Sequence, residues 1–118
     1  MLETQVQLGL KAKLFRSLGD PSRLLVLECL KKGARCVSEI VAATGLSQPN
    51  ASGHLACLRA CGLVEREPVG RYAYYRLAGP HVAQILAEAE GLLQAVGALV
   101  EECPRYTEDE TTEEGAKR

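Results

Sequence analysis

Four glycines, Gly19, Gly33, Gly45 and Gly62, cut the first half of this 118-residue chain into segments whose apolar residues recur at helical spacing. Beyond Gly62 the period changes to alternation, so the chain must fold as a run of short helices followed by a hairpin. Val6, Leu10, Leu14, Phe15 and Leu18 mark a first amphipathic helix that Gly19 ends. Asp20 and Pro21 supply an N-cap and a first-turn proline for a second, through Leu24, Leu25, Leu27 and Leu30. A short third helix spans about residues 37–43, with Ile40 and Val41 inward, and closes at Gly45. Ser47 caps the fourth, which tolerates Pro49 in its first turn and buries Leu55, Leu58 and Ala51 before Gly62 stops it.

Residues 63–67 and 72–77 then alternate in polarity across a turn containing Pro and Gly, which reads as a β-hairpin. A last helix runs from near Pro80 towards Cys103, with Val82, Ile85, Ala89, Leu92, Val96 and Leu99 spaced by threes and fours. That stripe is wider than a small aliphatic core needs, so part of it is expected to be a dimer surface. The order of elements is that of a winged helix-turn-helix: mainly α with a small β-hairpin, a homodimer through its N- and C-terminal helices. Residues 1–103 are expected to form this domain and 104–118 an acidic, disordered tail.

With no Trp and one Phe, the core must be aliphatic. No apolar run approaches the ~18 residues of a membrane span, and no signal peptide is visible, so no membrane association is expected. Five cysteines without a secretion signal argue for reduced thiols in the cytoplasm. The formal net charge of −1 conceals an asymmetry: residues 1–76 carry eleven Lys and Arg against six Asp and Glu, residues 77–118 three against nine. A basic front is what a phosphate-facing surface requires. Cys and His occur without a C-x-x-C, a nucleophile elbow, a phosphate loop or a clustered acid/base set, which excludes the common enzyme classes.

The fourth helix opens with Ser47, Gln48, Asn50, Ser52, Gly53 and His54, and in a helix-turn-helix that end points at base edges. Gln and Asn can pair bidentately with adenine, Ser serves several bases, and Gly53 allows close approach. A polar helix start alone is more often a solvated surface, and His54, beside a buried leucine, reads as a structural hydrogen-bonding residue. Taken together with the short preceding helix and Arg66, Arg71 and Arg76 on the hairpin, beside Tyr72 and Tyr74, the ordered set points to double-stranded operator DNA. Two copies would address half-sites about one helical turn (~34 Å) apart.

These residues resemble a family. PSRLLVLECL and VSEIVAATGLSQPNASGHLACLRACGLVEREPVGRYAYYRL are similar to the ArsR/SmtB family of dimeric winged-helix repressors. The pattern S-x-H-L-x-x-L-R-x-x-G-L-V over Ser52–Val64 carries most of the specificity. The resemblance implies repression of metal-resistance or homeostasis operons, relieved by metal. The Cys-x-Cys pair with which some members open the third helix is incomplete here, since only Cys36 is present. The carboxylate and histidine set of the last helix is missing, since His81 has no second His. Cys57-x-x-x-Cys61 in C-L-R-x-C-G-L-V instead resembles the CmtR-like branch that senses cadmium and lead. That resemblance implies Cys103 as a third ligand, delivered by the opposite protomer. Sulfur-only donors select soft ions, Cd2+ or Pb2+, with Hg2+, As(III) or Zn2+ as alternatives. An arsenite-responsive or thiol-redox-responsive repressor of the same fold is the competing expectation. Cys57 and Cys61 could also be inert small hydrophobes. Cys29 is expected in the core; Cys36 stays open between helix start and accessory ligand.

Overall fold

The computed structural model describes residues 2–103; the tail expected over 104–118 lies outside them. The chain divides into two compact units between Ala83 and Gln84.

The first unit is built on four helices: α1 (Leu2–Leu18), α2 (Pro21–Leu30), α3 (Val37–Thr44) and α4 (Gln48–Ala60). Around them lie strands β1 (Arg35–Cys36), β2 (Val64–Val69) and β3 (Tyr72–Leu77). Local chemistry sets the ends. Asp20 Oδ1 accepts from the Ser22 and Arg23 amides at 2.8 and 3.2 Å, and Pro21 follows in the first turn. The Asp20→Ala protein is expected to lose about 1 kcal/mol of stability, read as a lower urea midpoint at unchanged slope. Gly45, at φ +78°, takes the left-handed conformation that ends α3, and its N–H donates to the Val41 carbonyl at 2.9 Å. Ser47 Oγ accepts from the Asn50 amide at 3.2 Å to open α4.

Val26, Leu27, Ile40, Leu55 and Leu58 are fully buried where α2, α3 and α4 pack on one another. Ala51, Leu30 and Val64 complete this aliphatic core. Leu25, expected inside, is 47% exposed: on a ten-residue helix flanked on one side, Val26 takes the inward position instead. Val41 is only half-buried.

The sheet has three strands in the order β1-β3-β2, all antiparallel. The expected hairpin is present, but Pro68, read as part of its turn, lies in β2 opposite Ala73, and a Gly70-Arg71 turn joins Val69 to Tyr72. Gly70 has φ +62° and among the described residues no non-glycine residue has positive φ, the backbone pattern of a type II′ turn. The unexpected strand is β1, which pairs Arg35 with Tyr75 and Cys36 with Tyr74. It ends at the N-cap of α3, where Glu39 Oε1 accepts from the Cys36 amide at 3.0 Å and Cys36 Sγ lies 3.2 Å from Ser38 Oγ. Cys36, 7% exposed, is therefore part of the helix start.

The same contacts hold the Glu39 carboxyl below its ordinary pKa, through the Cys36 backbone hydrogen bond first and the Cys36 side chain second. Because the folded value is the lower one, the stabilisation is complete above the ordinary glutamate range and fades as pH falls through the lowered value. The Glu39→Gln protein should melt below the parent at neutral pH, the gap closing on acidification.

The second unit is the body of α5, a helix that spans His81–Glu102. Its Leu92, Leu93, Leu99 and Val100 are exposed, Leu99 by 70%. By length and composition alone α5 could cross a membrane. Glu88 and Glu90 on its middle turns instead leave it amphipathic. In α1, Val6, Leu8, Leu10 and Phe15 are likewise more than half exposed.

Candidate nucleic-acid interface and thiol pair

Helix α4 has three distinct faces. Ala51, Leu55 and Leu58 are buried. On the opposite side come Pro49, Gly53, Ala56 and Ala60, all exposed and all small, while the exposed Gln48, Ser52 and Arg59 edge that face on the side away from the thiols. Along one flank, roughly a quarter-turn from the core stripe, run Asn50, His54, Cys57 and Cys61. Ser47, Gln48, Asn50, Ser52 and Gly53 are exposed as expected, and His54 is half-buried. They do not share one face: Gly53 looks outward, Gln48 and Ser52 lie along one edge, and Asn50 and His54 lie on the flank with the thiols. The small outward face was missed in the sequence because Ala56 and Ala60 offer no hydrogen bond; the signal was the absence of bulk at that spacing.

Gly53 sits in the middle of α4, where glycine costs about 1 kcal/mol relative to alanine. A Cβ there would meet nothing within 4 Å. Packing inside the protomer gives no reason for it. A surface brought close to α4 from outside does.

The hairpin arginines part company. Arg66 pairs across the sheet with Tyr75 and Arg76 with Glu65, so the two point to opposite faces. Arg71 is exposed at the turn, and neither it nor Arg66 has an ion-pair partner among the described residues. Arg76 is clasped by two carboxylates, at 3.1 Å from Glu65 Oε1 and 3.1 Å from Glu67 Oε1. A phosphate would have to compete with both for its guanidinium. Of the three, Arg66 and Arg71 are the ones placed to meet an anion.

The thiol pair is fixed by the way α4 ends. The Cys61 amide donates to the Cys57 carbonyl at 3.0 Å, which sets the two residues one helical turn apart, with Cβ atoms about 5–6 Å from each other. Past Cys61, the Leu63 amide reaches the Leu58 carbonyl at 2.9 Å and the Gly62 amide reaches Arg59 at 3.0 Å. With Gly62 at φ +79° this is a Schellman motif, so backbone hydrogen bonds on both sides hold Cys61. Cys57 is half-buried and Cys61 exposed; neither is a core residue. Two sulfurs on adjacent turns suit a soft ion and no hard one. Among the described residues no three of His, Cys, Asp and Glu come together as a metal-holding group. Cys103 lies just past α5, half-buried. Cys29, expected in the core, is half-buried at the surface of α2.

A helix-turn-helix with a two-stranded wing and a recognition helix stripped of bulk defines a winged-helix transcriptional regulator, not an enzyme. The sequence pattern of bacterial regulatory proteins of the arsR family matches residues 20–66. The chain is also 38% identical over 96 residues to the transcriptional regulator CmtR of Mycobacterium bovis, covering 81% of each. It belongs to the ArsR/SmtB family, and within it to the CmtR-like type. It is similar as well to a probable mercury resistance operon repressor of Streptomyces lividans, 37% identical over 80% of this chain and 75% of that one. Among solved structures it resembles the homodimeric winged helix-turn-helix DNA-binding domain of Mb0332 from Mycobacterium bovis. The TM-score is 0.69 at 34% identity, over 76% of this chain and 83% of the other.

Proposed function

We propose that this protein is a metal-responsive repressor of the cytoplasm. It holds a double-stranded operator as a homodimer and releases it when Cys57 and Cys61, with Cys103 as third sulfur, take up a soft ion such as Cd2+ or Pb2+. One observation carries the reading: Cys57 and the small outward face lie on the same thirteen-residue helix, and Cys61 is its C-cap. The exposed apolar residues of α1 and α5 supply the dimer surface, as the homodimeric relative suggests.

The small face of α4 lets its axis sink into the major groove, with Gln48 and Ser52 along one edge of it and Asn50 along the other. Arg66 and Arg71 meet phosphates at the wing. Cys57 and Cys61 present sulfurs from the flank of the helix, at the end away from its first turn. A bound soft divalent ion supplies an electrophilic centre that draws thiolates together. Three thiolates on one such ion leave an excess of one negative charge beside a helix that must approach phosphate. Cys61, at a rigid helix stop, passes any restraint on its sulfur to the whole of α4.

The test is a titration of the full chain against a duplex selected from a random pool, with and without cadmium, lead, arsenite and zinc. A coupling of the usual 1–3 kcal/mol weakens DNA binding about 5- to 150-fold with cadmium or lead. Unchanged affinity with every ion overturns the reading, as does release by peroxide alone. Release by arsenite but not by cadmium or lead reassigns the same thiols to arsenic.

A further inference from the structure

Leu25 and Cys29 follow one another at helical spacing along α2, and Lys32 comes just past its end. Together with Arg35 of β1 and the last turn of α3, Ala43 and Thr44, they line a cavity of about 300 Å3. Its wall chemistry is one-sided. Leu25 and Ala43 are apolar, and Lys32 and Arg35 bring two positive charges. Glu28 also borders it, but its carboxylate is 3.0 Å from Lys31 Nζ. Thr44 Oγ1 is engaged twice, donating to the Ile40 carbonyl at 2.7 Å and accepting from the Leu46 amide at 3.2 Å. Glu39 feels the charge of Arg35, yet its Oε1 is occupied by the Cys36 amide. Lys32 and Arg35 are the lining charges left without an ion pair among the described residues. Arg35 Nε is sealed from solvent with no acceptor among the described residues, so it does not itself face the cavity, and Arg35 borders it through its other atoms.

We propose that this cavity binds a small organic anion, an oxyanion head on a short apolar body. Lys32 and Arg35 hold the head, Leu25 and Ala43 flank the body, and the Cys29 thiol lies alongside. The volume is at the lower end of small-molecule pockets, enough for one compact ligand. The site is independent of the Cys57–Cys61 pair. It is well placed to influence DNA binding, because Arg35 pairs with Tyr75 of the wing and Thr44 leads through Gly45 into α4. An occupant therefore touches the strand that anchors the wing and the turn that aims the recognition helix.

Cys29 provides the readout. The reduced full chain is alkylated with iodoacetamide, and each cysteine is followed by peptide mass mapping, with phenyl phosphate as probe and inorganic phosphate as headgroup control. At a probe concentration about four times Kd, Cys29 should be alkylated about fivefold more slowly, since protection follows 1 + [L]/Kd, with Cys61 unaffected. Inorganic phosphate should protect less at equal concentration, and Lys32→Ala, a change at an exposed position, should abolish the protection. Three outcomes overturn the proposal: no protection of Cys29, equal slowing of Cys29 and Cys61, or full protection in the Lys32→Ala protein. Protection by duplex DNA and by neither small probe overturns it too, assigning the charges to nucleic-acid phosphate.

Discussion

Cys57→Ser and Cys61→Ser proteins are expected to bind operator DNA within about twofold of the parent when metal is absent, as ordinary surface substitutions do. Both should lose metal-dependent release. The first half follows from how α4 is built. Cys61 is exposed, and its conformation is set by backbone hydrogen bonds through Gly62 and Leu63, which serine preserves. Cys57 is only half-buried, on the flank beside His54 and not among Leu55 and Leu58. The second half follows from donor chemistry, because a serine hydroxyl is a hard, protonated oxygen with little affinity for a soft ion. Two measurements decide it. Thiolate-to-metal absorption on adding cadmium should vanish in either variant, and the about 5- to 150-fold loss of DNA affinity should shrink to none. Cys103→Ser should keep weak metal uptake through the helix pair but lose most of the coupling. Mixed dimers that carry Cys57→Ser in one protomer and Cys103→Ser in the other tell whether the third sulfur acts within a chain or across the dimer. A full response in Cys61→Ser would remove the thiol pair from the mechanism.

The helices were legible in the sequence because their ends are written in local chemistry. Asp20-Pro21, Ser47, Gly45 and Gly62 each satisfy or release backbone groups within a few residues, so no tertiary information was needed to place them. The core leucines of α4 followed from the same periodicity. What could not be read depends on pairing between distant segments. β1 is two residues long, too short for any alternation, and exists because β3 offers it an edge. The hairpin register decides that Arg66 and Arg76 face apart and that Arg76 falls between Glu65 and Glu67; nothing in the arginine spacing alone reveals it. Cys29 looked like core because Leu27 and Leu30 beside it are, yet α2 turns that flank to a cavity. The thiol pair was legible as a spacing, and with Leu55 and Leu58 read as core the same helical period places it on the flank of α4.

The glycine in the middle of α4 separates folding from binding in a single position, and the two should move in opposite directions. Gly53→Ala removes backbone freedom from the unfolded chain and adds a side chain to open space, so helix and protein should gain about 0.5–1 kcal/mol. Gly53→Leu should be stabilised comparably, since leucine is nearly as good a helix former and no atom lies within 4 Å to resist its Cβ. Groove binding runs the other way. Gly53 lies with Ala56 and Ala60 on the exposed face opposite Leu55 and Leu58, where each added methylene holds the helix axis further from the base edges. An affinity loss of about tenfold for alanine corresponds to about 1.4 kcal/mol, roughly one spoiled base contact, and leucine should lose at least a further tenfold. Thermal melts and duplex titrations on the same preparations check both signs. Cadmium uptake at Cys57 and Cys61, one and two turns further along, should be unaffected, which shows that the variants are intact and that groove and thiol functions occupy different faces of one helix. A Gly53→Leu protein that binds DNA like the parent would show that this face of α4 never meets the duplex.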